Sequence, residues 1–476
     1  MNARWTLALV VIAAALGAWV YFGEIQGDVR KKDAEAAQKR VFALEDDAVT
    51  ALEFGAPSGL VAHVARDGTS EWKIDAPVTY PAEKDAVERA LHVLSKVQSL
   101  ATISPAPADL TPFGLGAQAH SVKVWSGAGD PKQVFVGGPA PVGGARYFAL
   151  ASDPSKIYTV AAGDLFGLTP SLTELRDKRV LRVPSSAADE LFVRSQGELV
   201  THAKRADSGW TVLEPNAAPA DTEKIRRTLE ELSLARATEF ADTPDAAAKD
   251  AVAKPELELR LHTPEREEVL AFGRAGDKTW LARAGDPVLL AVSPAVVTAI
   301  PARPFDYRAK RVLTLGSDKV HALELTYPRI GTTHRFELGD SDWKSTEPGL
   351  ELRPLKVEDM LMAVASLDAT SIEPQNADKK ALGLDPPVVL LRALDDKAQE
   401  VGVLSLGDAS ADKGIPATSS QNGEVWRVSN QLGNELPLSP EAFNNTFVKK
   451  PGEPDDRAAT PTLPAEEPPP ELPEPR

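Results

Sequence analysis

One short phrase occurs three times in this chain, and it constrains the fold more than any other feature. Residues 71–77, 209–215 and 342–348 each contain a tryptophan that is followed five residues later by a proline. Trp72, Trp210 and Trp343 are 138 and 133 residues apart. Solenoid repeats have periods of roughly 20–50 residues, whereas this period is the length of an independently folding domain. The sequence therefore predicts one domain that is present three times.

Two further patterns keep the same register. A glycine at the end of a predicted strand recurs as Gly137, Gly273 and Gly407. A basic motif precedes the first repeat at residues 39–42, closes the first and second repeats at 175–181 and 307–313, and closes the third at 449–450. The predicted division is a transmembrane anchor at residues 1–23, a stalk at 24–45, repeat domains at 46–183, 184–315 and 316–450, and a Pro/Glu-rich tail at 451–476.

Each repeat has the pattern of an α+β domain. Alternating apolar residues at 52–54, 191–193 and 323–325 predict a first strand, and the proline of the repeated phrase predicts the end of the tryptophan strand, because proline lacks the N–H donor. An amphipathic helix follows, since apolar residues recur at intervals of four, three and three. Most of the remaining segments are sequential strands, which predicts a mainly antiparallel sheet with one or two packed helices per repeat. The helix stripes are Val87, Leu91, Leu94 and Val97; Ile225, Leu229, Leu232 and Ala235; and Val357, Leu361, Val364 and Leu367.

The N-terminal segment is predicted to cross a membrane. Residues 5–22 contain no charge, and as a helix they span roughly 27 Å, close to the ~30 Å hydrocarbon core of a bilayer. A cleaved signal peptide is the alternative, but bulky residues at 19–22 are unfavourable for cleavage. Arg4 favours a cytoplasmic amino terminus, whereas the basic residues 30–32 favour the opposite orientation. We expect a single-pass anchor with residues 24–476 outside the cytoplasm.

The bulk composition excludes some classes of function. The net charge of −16 argues against nucleic-acid binding, which needs a basic surface against phosphate. The chain has no cysteine, so disulfides and thiolate chemistry are absent. Residues 451–476 hold nine prolines, seven acidic residues and no aromatic residue, which predicts an extended, disordered tail.

No known catalytic motif is present. The seven histidines, at positions 63, 92, 120, 202, 262, 321 and 334, form neither an H-E-x-x-H motif nor an i, i+4 pair, so each is interpreted as a surface or strand residue. The glycine-rich residues 137–144 lack the Lys-Ser/Thr ending of a phosphate-binding loop and predict a hairpin loop. Residues 408–414 have alternating oxygen ligands like a calcium loop, but Gly414 is one position late, which favours a polar turn. We predict no catalytic, cofactor-binding or metal-binding residue and no cofactor.

The three tryptophans allow two interpretations. They could be platforms on which sugar rings stack, or they could be core residues. Each lies in an alternating strand beside an apolar partner such as Ile74 or Val212. This pattern favours core packing.

The order of these motifs resembles the family known as domain of unknown function 4340, over about residues 40–450. The resemblance is carried by the apolar N-terminus, the W-x-x-x-x-P strand with its amphipathic helix, and the turns at 113–116 and 382–386 that precede a strand. The third repeat departs from the pattern, because Arg353 and Pro354 replace the acidic start of the helix. Members of that family are often encoded beside ABC-type permeases and gliding-motility-type auxiliary subunits. The resemblance therefore implies a periplasmic protein anchored in the inner membrane, with a transporter complex as partner and no established catalytic residues.

Three functional hypotheses follow. The favoured one is a non-enzymatic, membrane-anchored scaffold or adaptor, because a repeated domain offers repeated surfaces and an anchor raises their effective concentration at the membrane. The second is a module that binds cell-wall material or polysaccharide. The third is a hydrolase, which would need carboxylates, histidine or serine gathered in one cleft of a single repeat. No small-molecule ligand is specified by the sequence.

Overall fold

The computed structural model describes residues 39–450, apart from 43, 45–47, 69–70, 117–118, 128, 142 and 341, together with Gly452. The predicted anchor, the stalk up to residue 38 and the acidic tail from residue 453 lie outside the described residues. Among the helices of the described part, none has both the length and the apolar character needed to cross a bilayer.

The described residues form 26 strands in three sheets built from antiparallel pairs. The first sheet contains β1 (Val49–Ala56), β2 (Gly59–Asp67), β3 (Glu71–Ala76), β4 (Tyr80–Pro81), β5 (Ala101–Ile103), β6 (His120–Ser126), β7 (Lys132–Pro139), β8 (Ala145–Leu150) and β9 (Ile157–Ala161). The second contains β10 (Glu190–Ser195), β11 (Glu198–Ala206), β12 (Gly209–Glu214), β13 (Ala218–Pro219), β14 (Glu239–Ala241), β15 (Leu257–His262), β16 (Glu267–Ala275), β17 (Lys278–Arg283) and β18 (Leu289–Val292). The third contains β19 (Ala322–Tyr327), β20 (Thr332–Leu338), β21 (Trp343–Ser345), β22 (Ser371–Ile372), β23 (Val389–Leu394), β24 (Glu400–Leu406), β25 (Ile415–Ser419) and β26 (Asn422–Val428).

Within the described residues, seven α-helices and six short 3-10 turns accompany the strands. The α-helices are α1 (Lys84–Lys96), α2 (Leu172–Leu175), α3 (Thr222–Leu234), α4 (Ala246–Ala253), α5 (Pro294–Thr298), α6 (Pro354–Ala365) and α7 (Pro440–Thr446). The 3-10 turns are Thr111–Phe113, Ala162–Leu165, Ser185–Ala187, Pro304–Tyr307, Ser317–Lys319 and Asn430–Asn434.

The three sheets share one strand plan. Their orders are β4-β3-β2-β1-β6-β7-β8-β9-β5, β13-β12-β11-β10-β15-β16-β17-β18-β14 and β21-β20-β19-β23-β24-β25-β26-β22. In the first sheet, for example, β1 pairs with β2 on one side and with β6 on the other. The short strand β5, which directly follows the helix, pairs with β9 at the edge of the sheet. Sequential antiparallel strands need only short turns, which agrees with the α+β prediction of mainly antiparallel sheets.

The predicted first strands and tryptophan strands are confirmed, although the third tryptophan strand, β21, ends at Ser345, before Pro348 is reached. Residues 52–54, 191–193 and 323–325 lie in β1, β10 and β19. The tryptophan strands β3 and β12 end one residue before Pro77 and Pro215, where the missing N–H removes a hydrogen bond of the sheet. Trp72, Trp210 and Trp343 are 3%, 7% and 3% exposed, so core packing is confirmed as their role.

The predicted helix stripes are buried except at Ala235, which is half-buried. In the first and third repeats each stripe residue lies in the hydrophobic core of its own repeat, with Val97 and Leu367 just beyond the ends of α1 and α6. In α3, Ile225, Leu229 and Leu232 are buried, and Asp221, directly before the helix, accepts a hydrogen bond of 2.9 Å from the backbone N–H of Lys224. Each buried aliphatic side chain contributes roughly 1.5–3 kcal/mol, which explains why spacing alone located these helices.

The recurring glycine has a steric reason. Gly137 lies near the end of β7, Gly273 lies within β16, and Gly407 directly follows β24. At each position the chain passes close to a carbonyl oxygen of the segment that precedes β6, β15 or β23, respectively. A side chain there would collide with backbone that cannot move aside. A Cβ atom would lie 2.5 Å from the oxygen of Phe113 at Gly137, 2.1 Å from that of Ala251 at Gly273, and 2.2 Å from that of Leu382 at Gly407.

The second repeat differs from the prediction in its helices. It contains α3, α4 and α5, where one or two helices were expected. Helix α4 stands before β15, at the place where the first and third repeats have turns at Gly114 and Gly383 with φ of 66° and 68°. The Ala-rich residues 246–253 have high helix propensity and no such glycine, so this repeat replaces the turn with a helix.

The start of the first repeat also differs from the predicted division. Phe42, which the prediction assigns to the stalk, is 5% exposed and packs in the core of the first repeat with Val49 and Leu52. Its burial makes the end of the predicted stalk part of the folded first repeat.

The described chain separates into two compact units. The first unit contains the described residues up to Arg182 with Leu232–Val252 and Gly273–Val296; it holds the first sheet, β14, β17 and β18. The second unit contains Val183–Glu231, Ala253–Phe272 and the described residues from Val297; it holds β10 to β13, β15 and the third sheet.

Candidate functional site

The basic motifs between repeats form extended segments that hydrogen-bond on both sides. We call residues 175–180 the first strap and residues 307–312 the second strap. The first half of each strap pairs with the segment before the helix of the preceding repeat, and the second half pairs with the segment after the helix of the next repeat. The motif was predicted to close a repeat, but it also begins the next one. The first strap bonds are Glu83 N to Leu175 O (2.7 Å), Asp177 N to Pro81 O (3.0 Å), Val180 N to Ala235 O (3.2 Å) and Ala237 N to Lys178 O (2.7 Å); the second are Asp221 N to Tyr307 O (2.9 Å), Ala309 N to Pro219 O (2.9 Å), Val312 N to Leu367 O (3.0 Å) and Ala369 N to Lys310 O (2.8 Å).

The ends of the described chain complete the same arrangement. Before the first repeat, the N–H of Val41 donates to Val97 O at 3.0 Å, and the N–H of Ser99 donates to Lys39 O at 2.9 Å. After the third repeat, the N–H of Lys449 donates to Glu351 O at 2.9 Å. The basic motif is therefore a structural joint, and its backbone hydrogen bonds explain why it recurs.

The first strap carries a buried network of opposite charges. Asp177 is 1% exposed and accepts hydrogen bonds from Arg179 (Nε to Oδ1, 2.9 Å) and Arg182 (Nε to Oδ2, 2.9 Å). Arg182 also donates to Asp286 at 3.0 Å, and Asp286 accepts from Arg283 at 2.8 Å. Arg283 further donates to the carbonyl oxygens of Arg179 and of Val180 at 2.7 and 2.8 Å. The strap is thus held by side chains as well as by backbone.

Aromatic rings cover one side of this network. The guanidinium of Arg182 lies 5.0 Å from the ring centroid of Tyr80, and the guanidinium of Arg176 lies 5.0 Å from that of Phe240. The two rings meet edge to face at 5.5 Å. Arg176 is itself paired with Asp242 at 2.7 Å. Cations held over aromatic faces and away from water are stabilised more than exposed ones.

The protonation of the network follows from its contacts. Burial opposes the ionisation of Asp177, but hydrogen bonds and charge from Arg179 and Arg182 outweigh it and hold the pKa of Asp177 below its usual range. Burial raises the pKa of Tyr80, whose hydroxyl donates to Asp286 at 3.3 Å, although the charge of Arg182 opposes the rise. Tyr80 is therefore neutral at physiological pH, and Asp177 is ionised.

The second strap is built with different side chains. Ala309 takes the place of Asp177. Arg308 is ion-paired with Glu424 and lies 5.7 Å over the ring of Trp426, while Lys310 lies 5.6 Å over the ring of Phe305. The joint is conserved within the chain as backbone geometry, but its charges differ between the two straps.

Each repeat also pairs a histidine with a carboxylate on its second strand. His63, His202 and His334 lie eight or nine residues before the tryptophan of their own repeat. This spacing is visible in the sequence and could have indicated that the three histidines are equivalent. The Nδ1 atoms lie 2.7 Å from Oδ1 of Asp75, 3.7 Å from Oε1 of Glu214 and 2.8 Å from Oε1 of Glu347, respectively.

An aromatic ring covers each of these imidazoles. His63 meets Trp125 edge to face at 5.2 Å, while His202 stacks on Phe192 and His334 stacks on Phe443, both at 4.0 Å. A hydrogen-bonded carboxylate orients an imidazole as in catalytic pairs. Here the covering ring restricts access to the imidazole, which favours a structural role in the sheet.

A fourth histidine provides a test by titration. His262 Nδ1 lies 2.7 Å from Asp189 Oδ1, and this hydrogen bond raises the pKa of His262 while it lowers the pKa of Asp189. We expect Asp189→Asn to lower the pKa of His262 towards the usual value of about 6.5. Because both shifts belong to the folded state, the pair ceases to stabilise the fold as pH rises through the raised pKa of His262 and also as pH falls through the lowered pKa of Asp189.

The measurement is an NMR titration of the imidazole C–H signals in the full chain, before and after the substitution. Glu267→Gln is the control, because Glu267 acts on His262 only through a weaker charge interaction. A His262 titration that is the same in the wild type and in Asp189→Asn would contradict this assignment.

The remaining sequence candidates occupy ordinary structural positions. Asp408, the first residue of the calcium-like loop, is ion-paired with Arg329 at 2.8 Å, and Ser410 and Gly414 exchange two backbone hydrogen bonds of 3.0 Å. These contacts are those of a polar turn. The glycine-rich segment 137–144 spans the end of β7 and the connection to β8, as the hairpin prediction required.

Across residues 39–450 with the gaps given above, no three histidine, cysteine, aspartate or glutamate side chains are grouped as metal ligands. The conspicuous charged groups of the described chain are the strap networks and the histidine pairs, and their chemistry is ion pairing and hydrogen bonding.

These features define the class of protein as an α+β chain of tandem antiparallel sheets joined by straps. A family model described as a domain of unknown function, DUF4340, matches residues 72–255 and 210–387. The chain belongs to this family. The two matches begin at Trp72 and Trp210, so they follow the period of the repeated phrase. No curated protein and no solved structure gives a significant match.

Proposed function

We propose that this chain is a non-enzymatic scaffold or adaptor of the bacterial envelope, accessory to an ABC-type transporter or a related complex. The observation that carries the proposal is the strap, which recurs between successive repeats with the same hydrogen bonds. The hydrogen bonds of a strap restrict the movement of the two segments to which it is bonded. Pre-arranged surfaces bind a partner at a lower entropic cost than surfaces that must be ordered during binding.

Repetition and tethering support the same function. Three sheets with one strand plan present related edges and faces, which suits binding at several points. An anchor at residues 1–23, expected from their apolar composition, would keep these surfaces beside a membrane partner. We place residues 24–476 in the periplasm and the anchor in the inner membrane.

The orientation has a direct test. Protease added to spheroplasts should digest the folded repeats, while a cytoplasmic marker protein stays intact. Full protection of the repeats until the membrane is lysed would reverse the orientation.

Exposed apolar side chains mark where a protein partner could be trapped. Leu234 at the end of α3 is 76% exposed, and Met362 in α6 is 60% exposed although other residues of that helix lie in a core. A photo-crosslinking residue at either position, in intact cells, should capture a permease subunit of an ABC-type transporter. Lys397, exposed in the turn between β23 and β24, is the control position and should capture none.

Two outcomes would overturn the adaptor proposal. One is crosslinking at Leu234 and Met362 that recovers no membrane protein. The other is recovery of the same permease at Lys397, which would show capture by proximity alone.

A further inference from the structure

A groove of about 570 Å³ opens on the first compact unit. It is lined by α1, the start of β8, residues 162–170 and the segment after α3. Four cations line it: Arg89, Arg146, Lys178 and Arg236. The groove adjoins the first strap, since Lys178 belongs to that strap, but its lining does not include Asp177, Arg182, Arg283 or Asp286.

None of the four cations forms an ion pair with a described carboxylate, although the charges of Lys178 and Arg89 reach Glu174 and lower its pKa. Among the described residues, no carboxylate lies within 4.0 Å of the charged nitrogens of any of them, although most arginines elsewhere in this acidic chain are paired. Arg146 donates to the carbonyl oxygen of Gly137 at 2.8 Å, and Arg236 donates to the carbonyl oxygen of Ser233 at 2.8 Å. These bonds fix the guanidiniums in place without cancelling their charge.

The field of Arg146 is felt by a neighbouring residue. Burial lowers the pKa of His120, and the charge of Arg146 lowers it further. A positive charge that disfavours a second positive charge nearby favours an anion at the same place.

An exposed aromatic ring stands at the rim of the groove. Phe166 is 70% exposed and directly precedes Gly167, which has a φ of 103°. The guanidinium of Arg89 lies 5.8 Å from the centre of the Phe166 ring. A Cβ on Gly167 would lie 3.3 Å from the side chain of Arg89, so the glycine lets the turn approach the helix closely. The ring is therefore held at the rim with much of its surface open to solvent.

Carboxylates also line the groove, and they restrict the kind of anion that fits. Glu83, Asp85 and Glu174 are part of the lining. Glu174 accepts hydrogen bonds of 2.8 Å from the backbone N–H and the hydroxyl of Ser171, and these bonds hold its pKa below the usual range. Ionised carboxylates accept hydrogen bonds from hydroxyl groups but repel an acidic peptide, which has few hydroxyls to offer. A ligand with both carboxylates and hydroxyls satisfies cations and carboxylates together.

The other two repeats lack this combination. Arg89 lies two residues after Val87, the first stripe residue of α1. The equivalent residue is Arg227 in the second repeat and Asp359 in the third. Arg227 is ion-paired with Glu223 at 3.6 Å. Phe166 lies thirteen residues before Arg179 of the first strap. The equivalent position in the second repeat, thirteen residues before Arg311 of the second strap, is Thr298. The combination of an arginine without an ion pair and an exposed aromatic ring is therefore not repeated in the second repeat.

We propose that this groove binds an acidic polysaccharide, with the carboxylates of its uronate sugars held by Arg89, Arg146, Lys178 and Arg236 and one sugar ring packed on Phe166. Guanidinium groups bind carboxylates in a bidentate manner, and the flat apolar face of a sugar ring matches an exposed aromatic face. The proposal is independent of the adaptor function, because it uses none of the positions that test that function.

The test is direct binding to the full chain. Polygalacturonate oligomers, titrated in a calorimeter at low salt, should bind, and dextran oligomers of the same length should not. Poly-glutamate separates the glycan from an acidic peptide and should bind at least about tenfold more weakly than polygalacturonate. Added salt should weaken polygalacturonate binding, because it screens the cations.

Substitutions locate the binding in the groove. Phe166→Ala and Arg89→Ala each alter an exposed side chain, and each should weaken polygalacturonate binding by about tenfold. Arg227→Ala is the matched control for Arg89, and Ile330→Ala, which removes another exposed apolar side chain, is the control for Phe166; neither should change the affinity. Thermal unfolding of each variant verifies that the fold is retained.

Several results would overturn the proposal. These are an absence of polygalacturonate binding, equal binding of poly-glutamate, and binding that Phe166→Ala and Arg89→Ala leave unchanged. Capture of a permease in the crosslinking experiment would be unaffected by any of them.

Discussion

Asp177→Ala is expected to reduce the free energy of unfolding by about 3 kcal/mol, because it removes a carboxylate from a buried network and leaves Arg182 with Asp286 as its remaining anionic partner. Asp177 is 1% exposed, and Arg182, which it binds, is 11% exposed. The substitution would leave both Arg179 and Arg182 without this carboxylate, and Arg182 cannot reach bulk water easily.

The measurement is urea denaturation of the full chain in mild detergent, with hydrogen exchange to find the affected region. Exchange should accelerate in the first strap and in residues 235–237, which hydrogen-bond to it. Asp408→Ala is the matched control, since Asp408 forms an ion pair at the surface with Arg329, and exposed pairs contribute about 0–1 kcal/mol. Equal losses in the two variants would show that the network around Asp177 does not stabilise the joint.

Trp343→Ala should lower the stability of the third repeat by about 3–5 kcal/mol, as truncation of a buried aromatic side chain does elsewhere. Trp343 is 3% exposed and belongs to a core that includes Phe336, Val357 and Phe443. Alanine would leave a cavity between the sheet and α6, because close-packed neighbours relax only in part.

Denaturation followed by circular dichroism measures this loss. Met362→Ala is the control in the same repeat, since Met362 is 60% exposed and its removal should cost less than about 0.5 kcal/mol. A loss below about 1 kcal/mol for Trp343→Ala would mean that the ring is not a core residue, and the sugar-platform interpretation would return.

The repeat and its elements could be predicted because they depend on local patterns. Helices α1, α3 and α6 were located by apolar residues at intervals of four, three and three, since burial of one face determines which residues must be apolar. The ends of β3 and β12 were located by prolines, whose effect on hydrogen bonding is local. Helix α4 was missed because it replaces a turn in one repeat only, so the comparison between repeats offered no guide.

The candidate sites were less predictable, because they depend on residues far apart in the chain. Arg182 and Asp286 are 104 positions apart, and no periodic pattern indicates that they form an ion pair. His63 and His334, which pair with Asp75 and Glu347, both lie nine residues before a tryptophan. This shared spacing could have indicated the pairs, but it is not apparent when each histidine is interpreted separately.

The sequence by itself determined that one α+β unit is repeated, where its strands and main helices lie, and that its tryptophans are buried, because short-range periodicity records which side chains face the core. Only the tertiary structure decided what the repeated motifs do. Gly407 recurs because a carbonyl oxygen leaves no room for a Cβ atom, and the basic motif recurs because its backbone bonds to two repeats at once. Both reasons are contacts between residues far apart in the chain. The sequence shows which residue type such a contact requires at one position, but it does not show which residue is the partner.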